Sequence, residues 1–117
     1  MKTLILYSSR DGQTKKIAEF MAQHLEGEVV VSPLMEEQDL QVFDRVIIGA
    51  SVRYGHFNKQ VYRFVERHHE LLNAKSAVFF GVGLTARKEG KDTPEGNVYV
   101  RKFLQHIKWT PVKVGVF

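Results

Sequence analysis

The stretch TLILYSSRDGQTKKIAEFMAQHL, residues 3–25, changes its period in the middle. Thr3 to Leu6 is an apolar run of large side chains bounded by turn residues, the pattern of a buried strand. From Thr14 the apolar residues fall at Ile17, Ala18, Met21, Ala22 and Leu25, a spacing that gathers them on one helical stripe. Between the two lie Ser8, Ser9, Arg10, Asp11, Gly12 and Gln13. A strand that stops, turns tightly and opens a helix leaves backbone N–H groups pointing outward at the helix start. The helix dipole adds positive potential there, so such a turn takes phosphate. Gly12 permits the turn and Thr14 offers a hydroxyl. A plain N-cap by Ser9 or Asp11 explains the same residues, and the loop alone does not separate the two readings. It matches neither GxxxxGK[ST] nor GxGxxG.

The alternation continues outward. EVVVSPL (28–34) reads as a second strand stopped by Pro33, and MEEQDLQVFD (35–44) as a short helix or loop. RVIIGAS (45–51) is a third strand, followed by a helix with Val61, Phe64, Val65, His68 and Leu72 on one face. SAVFFGVGL (76–84) is a fourth strand. Val100, Phe103, Leu104 and Ile107 mark another helix, and PVKVGVF (111–117) is a fifth strand. Near-continuous apolar strands separated by helices predict an α/β fold, a doubly wound parallel sheet with right-handed crossovers, in the order 2-1-3-4-5. A final helix that would cover the sheet beside the first one is missing from this pattern. The reading therefore expects a fragment, or a neighbouring molecule over part of one sheet face.

The chain has 117 residues, enough for one domain, and 44% are hydrophobic. The absence of cysteine excludes disulfides, thiolate nucleophiles and thiolate metal sites. That absence fits a cytoplasmic protein; no stretch has the roughly 20 apolar residues of a membrane span, and the first residues read as a strand, not a signal peptide. A formal charge of +4 favours an anionic partner without choosing among phosphate, carboxylate, lipid headgroup and nucleic acid.

In open α/β sheets ligands sit beyond the carboxyl ends of the strands, where the strand order reverses. Three loops meet there. The first is Ser8 to Thr14. The second, within GASVRYGHF (49–57), joins small residues at a strand end to Arg53, Tyr54, Gly55, His56 and Phe57, and its aromatics suit either a flat ligand or the next helix. The third, within GVGLTARKEGKDTPEGN (81–97), is long for a strand-to-helix connection and interleaves Arg87, Lys88 and Lys91 with Glu89 and Asp92. His24, His68, His69 and His106 read as surface or packing residues, while His56 lies in a site loop. No carboxylate–histidine cluster has metal spacing and no Ser-His-Asp set stands out, so no metal and no catalytic side chain is assigned. A receiver-like regulator needs a phosphorylatable Asp at a strand end, and Ser8, Ala50 and Gly83 stand there instead.

Taken together, MKTLILYSSRDGQT, DRVIIGASVRYGH, LTARK and YVRKFL make the chain resemble the flavodoxin-like family along its whole length. Within it the resemblance is to the menaquinone-dependent protoporphyrinogen oxidases of bacterial haem synthesis. The resemblance implies a single FMN-binding domain over residues 1–117, shortened at its C-terminal end relative to the family, whose members continue into a basic, aromatic insert and a closing helix. It implies an FMN phosphate on Ser9, Arg10, Asp11, Gly12, Gln13 and Thr14. The flavin ring would lie between Ser51, Val52, Arg53, Tyr54 and Gly55 on one side and Val82, Gly83, Leu84 and Thr85 on the other. The implied reaction is an oxidoreductase's: hydrogen leaves protoporphyrinogen IX and electrons pass to a membrane quinone, menaquinone or ubiquinone. The flavin carries the redox step. His56, Arg87, Lys88 and Lys91 are weaker candidates for substrate or membrane contact, Arg53 joining the last three at the site mouth. Peripheral association with an anionic inner-membrane surface follows from that set, with no nucleic acid partner and a homo-oligomer left open. The competing function is a flavodoxin electron carrier without its own substrate.

Overall fold

The structure, a computed structural model, describes residues 1–8, 12–34, 38–53, 56–83 and 98–117, with the backbone alone at Arg53, His56 and Ser76. Five parallel strands make the sheet: β1 (Lys2–Ser8), β2 (Glu28–Pro33), β3 (Arg45–Arg53), β5 (Ser76–Val82) and β6 (Lys113–Val116), in the order β2-β1-β3-β5-β6. With the strands renumbered for a short intervening β4 (His56–Phe57), this is the predicted order. β4 pairs antiparallel with the end of β3, Val52 opposite Phe57 and Arg53 opposite His56. Helices α1 (Gln13–Gln23), α2 (Lys59–Ala74) and α3 (Val98–His106) connect the strands. Among the described residues of the ambiguous segment before β3 is a short 3-10 turn, Leu40–Val42, capped by the Asp39 carboxylate, which accepts from Gln41 N at 3.0 Å.

Alternation along each strand divides the core between two faces. Leu4, Leu6, Val46, Ile48, Ala50, Ala77 and Phe79 face α2 and α3. Ile5, Ile47, Phe80 and Val82 face α1, packed with Ala18, Ile17, Met21, Ala22 and Leu25, the helical stripe read from sequence. Among the described residues α1 is the one helix on its face, and Phe117, 49% exposed, sets its ring edge-on against Phe80 at 5.8 Å.

The α2–α3 face is aromatic. Phe103 stacks on Phe79 with centroids 4.6 Å apart and meets Phe57 and Tyr62 edge-on at 5.3 and 5.1 Å. Such pairs add roughly 0.5–1.5 kcal/mol each beyond area burial. α2 begins where Asn58 Oδ1 accepts from Gln60 N at 2.8 Å, an N-cap. Near its other end Asn73 clamps the approach to β6. Its Nδ2 donates to Lys108 O at 3.1 Å and its Oδ1 accepts from Thr110 N at 2.9 Å. Between those two bonds Trp109 is buried against Phe79.

Candidate functional site

The sheet register brings the ends of three neighbouring strands into line. Ser8 of β1 sits opposite Ala50 of β3, and Ser51 of β3 opposite Val82 of β5. At about 4.8 Å per strand, the line from β1 to β5 is about 10 Å long. β2 lies on one side of β1 and β3 on the other, so the strand order reverses here, as the sequence reading required.

The first loop delivers its chain to α1 through Gly12, the N-cap residue, at φ +85°, a left-handed conformation that side chains rarely adopt. Gly12 supplies no side-chain cap, so capping by Ser9 or Asp11 at the N-cap position itself is corrected. Two residues on, Thr14 is fully buried, and its Oγ1 has no hydrogen-bond partner among the described residues. A buried hydroxyl without a partner costs roughly 1–3 kcal/mol, and such groups are rare in folded proteins. An acceptor at the start of α1 would satisfy it. Phosphate oxygen fits that demand, at a helix start with no acidic residue in its first turn. Ser9, Arg10 and Asp11 lie outside the described residues, as does the orientation of the Asp11 carboxylate.

The second loop is shorter than the sequence suggested. β3 runs on through Ser51, Val52 and Arg53, and β4 folds back on it, so these three are strand residues. Ser51 is half-buried at the strand end, whereas Val52 packs with the core toward α2 and α3. Only Ser51 of this pair has its side chain on the α1 face of the sheet. A further reading changes. Phe57 is a core residue, fully buried against Phe79 and Phe103, and stacks on no ligand. Gly49 is small because the Phe80 ring lies over it, where any Cβ would overlap that ring. Tyr54 and Gly55 lie outside the described residues, and His56 is placed by its backbone alone.

Of the third loop, Val82 and Gly83 are described. Gly83 N donates to Phe117 O at 3.0 Å, and Phe117 N donates to Gly81 O at 2.8 Å, so the chain beyond β6 secures the root of this loop. The sequence reading missed Phe117, and no local signal marks it, because the bond joins residues far apart in the chain. Leu84, Thr85, Arg87, Lys88 and Lys91 lie outside the described residues.

The flavodoxin-domain family model matches residues 4–117. Protoporphyrinogen IX dehydrogenase [quinone] of Escherichia coli K12 is 44% identical over 99% of this chain and 67% of its own length. The protein of the same name from Leishmania major is 43% identical over 99% of this chain and 53% of its own. The chain thus spans between about half and two thirds of these relatives. Among solved structures, a Lactobacillus acidophilus flavoprotein in complex with FMN superposes with a TM-score of 0.74 at 18% identity, covering 98% of this chain and 92% of its own.

Proposed function

The chain belongs to the flavodoxin family, and from that premise we propose that it holds FMN across the ends of β1, β3 and β5 and serves the oxidation of protoporphyrinogen IX with a quinone as electron acceptor. The reaction class comes from the relatives' name. The observation that carries the cofactor reading is the Thr14 hydroxyl, buried at the start of α1 with no partner among the described residues.

On this reading Gly12, Gln13 and Thr14 would receive the phosphate, together with Ser9, Arg10 and Asp11. The ring would rest along Ser51 and the backbone of Val52 and Arg53, with Val82 and Gly83 opposite and Tyr54, Gly55, Leu84 and Thr85 completing its surround. FMN, when bound, supplies the exchange of hydrogen and electrons. The protein's part is to orient the group and to exclude water: Phe80, Phe117 and the α1 stripe make the floor under the strand ends apolar. His56, Arg53, Arg87, Lys88 and Lys91 are the side chains proposed to meet the substrate's carboxylates or an anionic inner-membrane surface, with menaquinone as the acceptor. Among the described residues no helix is long and apolar enough to cross a membrane, so association of these residues with a bilayer would be from its surface.

The test is in two steps. Titration of FMN into the purified chain should quench flavin fluorescence, and a flat titration would remove both the enzyme and the electron-carrier readings. The loaded chain, given protoporphyrinogen IX and a soluble menaquinone analogue, should then produce porphyrin fluorescence. Flavin binding without porphyrin formation would leave the electron carrier.

A further inference from the structure

The sheet has two edges, and they are built differently. An edge strand presents a row of unpaired N–H and C=O groups, and proteins blunt it with proline, charge, a bulge or a covering segment. β2 is blunted: exposed Glu28 begins it, Pro33 ends it without an N–H, and Glu36 and Glu37 follow in the sequence. β6, at the other edge, contains no proline, and its register with β5 is unbroken from Lys113 to Val116. Among the described residues no strand lies along its outer side.

The bonds that β6 already makes fix the direction of its free groups. Phe117 N donates to Gly81 O at 2.8 Å and Phe117 O accepts from Gly83 N at 3.0 Å, so this residue turns its backbone inward, to β5. Backbone direction alternates along a strand, so Gly115 turns inward as well. Val114 and Val116 then turn their N–H and C=O groups outward, to the open side. Side chains alternate in step. Val114 and Val116 pack on the α2–α3 face. Lys113, opposite Val78, lies on the α1 face, as does the Phe117 ring against Phe80.

Two exposed apolar side chains flank this edge, Val112 at 67% and Phe117 at 49% exposure. The charge beside it has one sign. From residue 102 to residue 117 the chain carries Lys102, Lys108 and Lys113, all exposed, and no carboxylate. A second copy meeting edge to edge would bring the same cations, whereas a carboxylate-bearing strand would complement them. Addition of an extended segment to an open edge takes affinity from main-chain bonds and specificity from alternate side chains. We propose that β6 is the docking edge for an extended acidic segment of a partner protein. The segment's main chain bonds Val114 and Val116. On one face a carboxylate meets Lys113 and an aromatic ring meets Phe117, and on the other apolar side chains continue the row of Val114 and Val116.

The probe is a fluorescein-labelled peptide, Phe-Val-Thr-Val-Glu-Glu. In antiparallel pairing its phenylalanine stands opposite Phe117 and its first glutamate opposite Lys113. Fluorescence anisotropy should show saturable binding to the unaltered chain. Methylating the backbone nitrogens of the peptide's two valines keeps the side chains and removes two hydrogen bonds, and should weaken binding roughly 10- to 30-fold. Lys113→Glu, a change at an exposed position, should weaken binding about 3- to 10-fold. A peptide ending in Lys-Lys should bind that variant better than the unaltered chain, a reversal that a misfolded variant would not give. In native-state hydrogen exchange the acidic peptide should slow the amides of Val114 and Val116 more than that of Gly115, which is already bonded to β5. Equal binding of the methylated peptide, no reversal with the lysine peptide, or slowing at β2 in place of β6 would each overturn the proposal. So would light scattering that rises with protein concentration and no peptide binding, which would give the edge to a second copy.

Discussion

At the scale of single residues, Thr14 and Gly12 can be told apart by the sign of their effects. Thr14→Val keeps the shape and removes the orphan hydroxyl, so the flavin-free chain should be as stable as before or up to about 1 kcal/mol more stable. FMN affinity should fall roughly 10- to 100-fold, the loss of one hydrogen bond to a charged group. Urea denaturation and flavin titration of the same variant check both. Gly12→Val should instead lower stability by about 1–2 kcal/mol or more, because a β-branched residue is forced to φ +85°, and should also abolish FMN binding. Among the described residues nothing stands where a Cβ would enter at Gly12, so the first effect is conformational, and retained micromolar affinity would count against the loop assignment. His68 tests electrostatics. Partial burial, and then the neighbouring Arg67, hold its imidazolium pKa below the ordinary 6.5. A base depressed in the folded state binds fewer protons than in the unfolded chain, so its contribution to stability is whole above pH about 6.5 and declines as pH falls below that. Denaturation midpoints at neutral and mildly acidic pH should therefore lie closer together in His68→Gln than in the unaltered chain.

At the scale of elements, Gly49→Ala should cost roughly 1–3 kcal/mol by driving a methyl into the Phe80 ring. Phe80→Leu in the same chain should return part of that loss, and a thermal-denaturation double-mutant cycle would show the coupling. The pair also explains what the sequence concealed. The five parallel strands and three helices were legible because apolar period is a local property. Gly49 was legible as small, but its reason stands on the neighbouring strand. β4 was not legible at all: two residues carry no period, and His56–Phe57 is a strand only because β3 runs long enough to pair with it. The same extension moved Val52 and Arg53 from loop to strand and turned Val52 toward the core. Thr14 was read as a hydroxyl offered by the site loop, and its complete burial was not legible because it depends on the packing of α1 against the sheet.

At the scale of the whole molecule, the two sheet faces are unequal. The α2–α3 face is closed by an aromatic cluster, and the α1 face runs out to a half-exposed ring, Phe117, at the sheet edge. The backbone of that residue is bonded at both its N–H and its carbonyl oxygen, to Gly81 and Gly83. The amide of Gly83 is thus a built-in gauge of the sheet margin: its proton can exchange with water only when the Phe117 carbonyl lets go. A binding event at the strand ends that tightens the margin should be readable there. In native-state hydrogen exchange, added FMN should slow Gly83 along with the first turn of α1, although the two follow strands, β5 and β1, that are separated by β3. Slowing confined to α1 would mean that the margin breathes independently of what the strand ends hold.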